Sequence, residues 1–296
     1  MKKTSVFFCG LVAAALCASG EQLYVATPLT AAGSFTGEIE GPACDRDGNI
    51  YAVSFARKPT IGRVTPAGRA EVFVEMPPGS LANGIRFNRE GIAFVADYTG
   101  HNILRLDPGT RKFEVFAHIP TTAQPNDVAI SKDGTLWASD PDWKASTGQV
   151  WRIGTDGKVA LVAPGMGSTN GIEVSPDGNT LYVNESVQHN LWAFHINPDK
   201  SLSGKRLITR LTDGSLDGMR CDKAGNLYIS RPLKGAVDII SPQGKLLKSI
   251  DVLGKRPTNL CFGGPDGRTC YVTEAEKGRL VQFRTERPGL EWRRWE

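Results

Sequence analysis

Strand-length apolar runs follow one another along this chain, parted by polar turns, and apolar positions almost nowhere recur at helical spacing. A repeat organises the runs. Six polar anchors each open a short β-rich run: Glu40-Gly41-Pro42, Asn83-Gly84-Ile85, Asn126-Asp127-Val128, Asn170-Gly171-Ile172, Asp217-Gly218-Met219 and Asn259-Leu260-Cys261. Their first residues lie 43, 43, 44, 47 and 42 positions apart. Behind the anchors come turns rich in Asp, Gly and Asn, such as Asp45-Arg46-Asp47-Gly48-Asn49 and Ser175-Pro176-Asp177-Gly178-Asn179. Such steps accept the positive φ that tight hairpins need. A second run follows with an aromatic in the same slot each time: Tyr51, Phe94, Trp137, Tyr182, Tyr228 and Tyr271. A third run and a fourth, more polar one complete the unit.

Four antiparallel strands in a unit of about 42 to 47 residues, repeated six times, predict an all-β fold, a six-bladed β-propeller. No linker-like stretch divides the units, so residues 21–296 read as one propeller domain. Closing the ring takes an outer strand from one end of the chain, either Gln22-Leu23-Tyr24-Val25-Ala26 or the tail Leu290-Glu291-Trp292. Inner strands of a propeller run along its channel, so the anchors form a ring at one mouth. The second strand returns to the same face, which places Ser54, Asp97, Asp140, Glu185, Arg231 and Glu274 beside them as a mostly acidic rim.

The first 20 residues have the form of an export signal: Lys2 and Lys3, the apolar stretch Ser5 to Cys17, and the small residues Ala18-Ser19-Gly20. The apolar stretch falls short of the roughly 20 residues that span a bilayer. Cleavage near Gly20 predicts a secreted protein with no remaining membrane segment, and the two lysines point to a bacterial periplasm. The whole chain has 35 basic and 31 acidic residues, and losing Lys2 and Lys3 leaves a near-neutral balance. With no long Lys/Arg block, this argues against a nucleic-acid partner. Cys44, Cys221, Cys261 and Cys270 survive cleavage. Cys261 and Cys270 flank a tight turn and could pair across it; the alternative is four buried free thiols. No C-x-x-C exists, so neither a thiolate zinc site nor a redox motif is supported.

The anchors carry the candidate chemistry. Every first residue is a carboxylate or an amide, and an oxygen-only set with two carboxylates, Glu40 and Asp217, suits a divalent cation. Calcium fits best, with zinc or manganese as alternatives. Without a cation the two carboxylates repel across a narrow channel, which raises at least one pKa. A turn-forming role explains any single anchor but strains at six in phase. Asn83 and Asn259 are the anchors best suited to structural support, and Asn83 is also a candidate to touch substrate.

Together, Glu40-Gly41-Pro42, Asn126-Asp127, Ser168-Thr169-Asn170-Gly171, Asp217-Gly218-Met219 and Thr258-Asn259-Leu260-Cys261-Phe262-Gly263-Gly264 resemble the SMP-30/gluconolactonase family. The resemblance spans essentially the whole mature chain. It implies a six-bladed propeller with one divalent cation in the channel and, in many members, hydrolysis of sugar lactones. Matched motif by motif, Glu40, Asn170 and Asp217 resemble the family's metal ligands. Asn126 resembles the residue that reaches substrate or completes the metal shell, as a ligand in the related diisopropyl-fluorophosphatase branch. Some members lack a polar residue at the second anchor, where this chain has Asn83.

The expected reaction is metal-assisted hydrolysis of a small lactone, with the metal as Lewis acid. Asp217 is the first candidate for the base that takes a proton from water, and Glu40 the second. Asn126 would hold the substrate oxygen or the metal, and Arg231 would orient a hydroxylated or acidic substrate unless it pairs with Glu185 or Glu274. No G-x-S-x-G stretch supports a nucleophile elbow. Gly165-Met166-Gly167 reads as a turn, not a phosphate loop. His101 and His189 share a phase and either line the mouth or occupy solvated turns; Trp143 either stacks on a sugar or caps its blade. A phosphotriesterase or esterase on the same site and a non-enzymatic binding propeller are the competing readings. Oligomeric state is left open.

Overall fold

The computed structural model describes residues 22–291. The export signal read from residues 1–20, and Trp292 of the tail, lie outside the described residues.

The described residues form six four-stranded antiparallel sheets and no α-helix. Their innermost strands are Ala43–Cys44, Ala82–Phe87, Val128–Ile130, Thr169–Val174, Met219–Cys221 and Pro257–Gly263. Five sheets use consecutive strands. In the sixth, Thr27–Pro28 pairs with Arg279–Arg284 as the outermost strand, in register Thr27 to Gln282. Leu23 adds a bridge to Arg284. The N-terminal segment therefore closes the six-bladed β-propeller. Pairing first with last strand removes the open edge that a ring would otherwise leave.

The recurring aromatics are all buried and hold blade against blade. Tyr51 meets Phe87 of the next blade edge-on, ring centres 5.2 Å apart, and Tyr228 meets Phe262 at 5.0 Å. Edge-to-face contacts of this kind add to the area they bury. The four described cysteines are free. Cys261 faces Tyr271 in the ladder while Cys270 faces Phe262, so the two thiols point to opposite sides of one sheet and cannot pair. They lie in separate apolar clusters. Met166 ends the strand Val159–Met166, so the Gly165-Met166-Gly167 segment runs out of a strand instead of forming a free turn.

Among the described residues, the tail up to Glu291 joins no sheet. Gly289 bridges Asp222, and Glu291 reaches Arg220 Nε at 3.0 Å and Arg86 Nε at 3.5 Å. Both arginines are fully buried.

Candidate active site and cation centre

Each anchor sits at or just before the start of its inner strand. Neighbouring blades are tied there backbone to backbone. Gly84 N–H donates to Asn126 O (2.8 Å), and Gly218 N–H donates to Thr258 O (2.8 Å). The Asn83 amide donates to Asn126 O at 3.0 Å, and the Thr258 hydroxyl to Ile39 O at 2.7 Å. The glycine after four of the anchors has a steric cause. A Cβ on Gly41 would lie 1.8 Å from Asn83 O, and one on Gly171 would lie 2.5 Å from Asp217 O. The blades can approach closely enough to make a narrow ring only where no side chain intervenes.

A cavity of about 560 Å³ opens over the ring. Glu40, Asn83, Asn126, Asn170 and Asp217 line it. Asn259 does not: it is 1 % exposed and its amide donates downward to Asp127 Oδ2 at 3.4 Å. The placement matches the supporting role expected of Asn259.

The four residues expected to hold a cation thus share one wall. Glu40 Oε2 accepts the Gly41 N–H (3.0 Å), and Asp217 Oδ1 accepts the Gly218 N–H (3.1 Å). Among the described residues no Lys, Arg or His pairs with either carboxylate. Loss of water pushes the Glu40 carboxyl up to about 7, Asp127 adding to it and the Gly41 N–H opposing it. The same desolvation, with the charge of Glu40 second, holds Asp217 well above the usual carboxylate range. The Asn170 amide donates to Ser186 Oγ (3.0 Å), which leaves its carbonyl oxygen free for the cavity. Asn126 is 6 % exposed, and among the described residues its side chain has no hydrogen-bond partner.

This donor set fits a hard divalent cation. Two close carboxylates without a counter-charge, and two amides with unspent oxygens, are what such an ion neutralises and satisfies. Among the described residues no three His, Cys, Asp or Glu side chains gather as a metal cluster, because amides supply half of the donors here.

Other expectations need correction. Arg231 does not face the cavity. It is wholly buried, bonded to Asp238, to Asp213 Oδ1 (2.7 Å) and to Ser215 O (2.8 Å). It ties its blade together and pairs with neither Glu185 nor Glu274. The acidic rim is likewise turned inward. Asp97 takes the Leu81 and Gly100 N–H groups, and Asp140 those of Ala123 and Gln124. Glu185 takes the Gly167 N–H, and Glu274 those of Glu276 and Lys277. Each carboxylate organises the loops of its own blade. Of the six strand ends only Ser54 lines the cavity. His101 and His189 adopt φ of 58° and 61° in turns and do not line it.

Several residues escaped sequence reasoning. Tyr98 lines the cavity with Trp143, whose indole N–H donates to the Tyr98 hydroxyl at 2.8 Å. Below the ring, Asp127 is fully buried and meets Arg86 Nη1 at 3.4 Å and Arg220 Nη1 at 3.2 Å. A carboxylate at Asp127, where four other anchors have glycine, was the available signal.

The SMP-30/Gluconolactonase/LRE-like region matches residues 40–276. A gluconolactonase from Zymomonas mobilis is 26 % identical, over 89 % of this chain and 83 % of its own length. A 6-deoxy-6-sulfogluconolactonase from Pseudomonas putida is 27 % identical, over 74 % of this chain and 77 % of its own. In fold, the chain is similar to the calcium-binding protein regucalcin from Agrobacterium tumefaciens, with a TM-score of 0.78 at 21 % identity, covering 90 % of this chain and 95 % of that one. From Glu40 through the sixth blade, the chain belongs to the SMP-30/gluconolactonase/LRE-like family.

Proposed function

We infer that this protein is a hydrolase of small lactones, sugar-derived ones above all, and that it works with one divalent cation, calcium being the expected ion. The observation that carries the reading is the cavity wall of Glu40, Asn126, Asn170 and Asp217, two carboxylates without a cationic partner beside two amides with unspent oxygens. The similarity to lactonases supports the reaction class.

A cation held by Glu40, Asn126, Asn170 and Asp217 supplies Lewis acidity toward the ester carbonyl. The chain supplies the rest. Asp217, one of the two carboxylates lining the cavity, takes a proton from the attacking water. As the ring C–O bond breaks, that proton passes to the departing alkoxide, so the product is a hydroxy acid and the carboxylate is regenerated. The Asn126 amide, and Asn83 beside it on the cavity lining, hold substrate oxygens. The Tyr98–Trp143 pair offers an apolar wall to a sugar ring. Export, expected from the leader, would place this activity in the periplasm.

The test is acid release from a lactone panel that includes gluconolactone, at near-neutral pH, with chelator and then with Ca²⁺, Zn²⁺ or Mn²⁺ restored. Turnover should vanish with chelator, return with metal, and fall at least a thousandfold in Asp217→Asn, as loss of both a ligand and a base requires. A protein that binds the cation yet opens no lactone above the spontaneous rate would move the assignment to phosphoesters or to a binding role.

A further inference from the structure

We propose that the cavity selects lactones bearing an acid group away from the reacting ester, and that Arg256 reads that charge. The proposal rests on the lactonase reading and names its substrate class.

Five charged side chains line the cavity: Glu38, Glu40, Lys58, Asp217 and Arg256. Lys58 is spent in an ion pair with Glu38. Other basic residues near the mouth are spent too, Arg57 on Glu75 and Lys234 on Asp213 and Asp238. Arg256 is exposed, and among the described residues it pairs with no carboxylate. One of its N–H groups donates to Gly37 O at 3.3 Å, which leaves the others of the guanidinium available. Its backbone is pinned, since Arg256 O accepts the Ala275 N–H at 2.8 Å and the strand Pro257–Gly263 begins at the next residue. The head group is thus anchored at the mouth by a contact that does not neutralise it.

Charge balance gives the sign. With a divalent cation on Glu40 and Asp217, and Lys58 on Glu38, the charge left on the cavity wall is that of Arg256. Its planar fork matches a carboxylate, and equally a sulfonate or phosphate, through paired N–H groups. Arg256 enters from the sixth blade, while Trp143, held by Tyr98, enters from the third, the opposite blade in a ring of six. A sugar ring lying on the aromatic wall, its ester over the central carboxylates, points its far substituent toward the sixth blade.

The experiment compares kcat/KM for glucaro-1,4-lactone, which has a terminal carboxylate, and glucono-1,4-lactone, which has an alcohol there. Wild type should favour the acid at least tenfold at low ionic strength, and added salt should shrink the preference. Arg256→Gln should reduce the ratio about tenfold, through KM, while Arg256→Lys keeps part of it. An unchanged ratio in Arg256→Gln, or a wild-type preference for the neutral lactone, overturns the proposal. Calorimetric titration of the cation-loaded protein with glucuronate and with glucose separates this from the reaction class. If no lactone is opened but glucuronate binds more tightly than glucose in an Arg256-dependent way, the lactonase reading fails and the charge selection stands. If neither lactone is opened and neither sugar shows that dependence, both fall.

Discussion

At Gly171 a single hydrogen stands where a methyl group would meet Asp217 O at 2.5 Å, and the carbonyl belongs to the adjacent blade. The Gly171 N–H is itself used, donating to Asn184 Oδ1 at 3.1 Å, and Asn184 in turn donates to Asp217 O at 2.6 Å. The residue is therefore boxed in by backbone that cannot swing away as a long side chain could. Gly171→Ala should destabilise the protein by about 1–3 kcal/mol, the usual cost of overpacking. Because the displaced carbonyl is that of Asp217, cation affinity should fall as well. Urea melts with and without Ca²⁺ measure both, and an alanine variant with unchanged midpoint in each would show that the ring is not close-packed. Why an asparagine or aspartate should be followed by glycine was only half legible in the sequence. Turn chemistry explains the dipeptide locally, but the blade that excludes a Cβ lies more than forty residues away.

Among the elements, the sixth blade shows how a hairpin is held from outside its turn. Asp266 sits in the turn after Pro257–Gly263 and binds Arg284 of the third strand, Oδ2 to Nη2 at 2.6 Å. The Arg284 charge and hydrogen bonds hold the Asp266 carboxyl down at about 2. A carboxylate whose pKa is lower folded than unfolded stabilises the fold fully above its ordinary value near 4, and that stabilisation is lost as pH falls toward 2. Asp266→Asn should therefore flatten the fall in stability between pH 4 and pH 2 and be least stable relative to wild type at neutral pH. Denaturant midpoints across that range check it; parallel curves for the two proteins would remove Asp266 from acid denaturation. The same blade shows how a one-residue offset decides chemistry. The turn between Cys261 and Cys270 suggested facing thiols, but the ladder matches each with an aromatic on the other strand, and alternation sends the sulfurs to opposite faces.

On the scale of the whole molecule, the channel is a stack of charges drawn from across the chain. Glu40 and Asp217 lie at the cavity, Asp127 below them, Arg86 and Arg220 beside Asp127, and Glu291 against both arginines. Glu291 anchors the tail, since its second oxygen also accepts the Phe262 N–H at 3.3 Å. Two buried arginines need more than Asp127 to balance them, and removing one partner from a buried ion pair costs roughly 3–5 kcal/mol. Glu291→Ala should lower stability toward the smaller of those values, because Asp127 remains beside both arginines and Glu173 Oε2 lies 3.8 Å from Arg86 Nη2. Thermal and urea denaturation test this, and a change under about 0.5 kcal/mol would mean that the tail is only loosely seated.

The sequence by itself determined the ring. Six anchors in phase, aromatics in a constant slot and hairpin turns between them are local signals. Each blade repeats the same solution, so blade number, strand count and the five anchors that line the cavity could be read without coordinates. Tertiary structure decided where the ends go and which way the charges face. Arg231 and Arg256 are alike as residues near the mouth. Asp238 and Asp213 draw the first into its blade, while among the described residues no carboxylate claims the second. The N-terminal segment, not the tail, closes the sixth sheet, and the tail descends to the arginines instead. Arg231 finds its partners 7 and 18 residues away, but the two ends of the chain depend on partners from about 70 to 255 residues distant. Pairwise electrostatics and sterics at such range are set only once the ring has closed and brought those residues into contact.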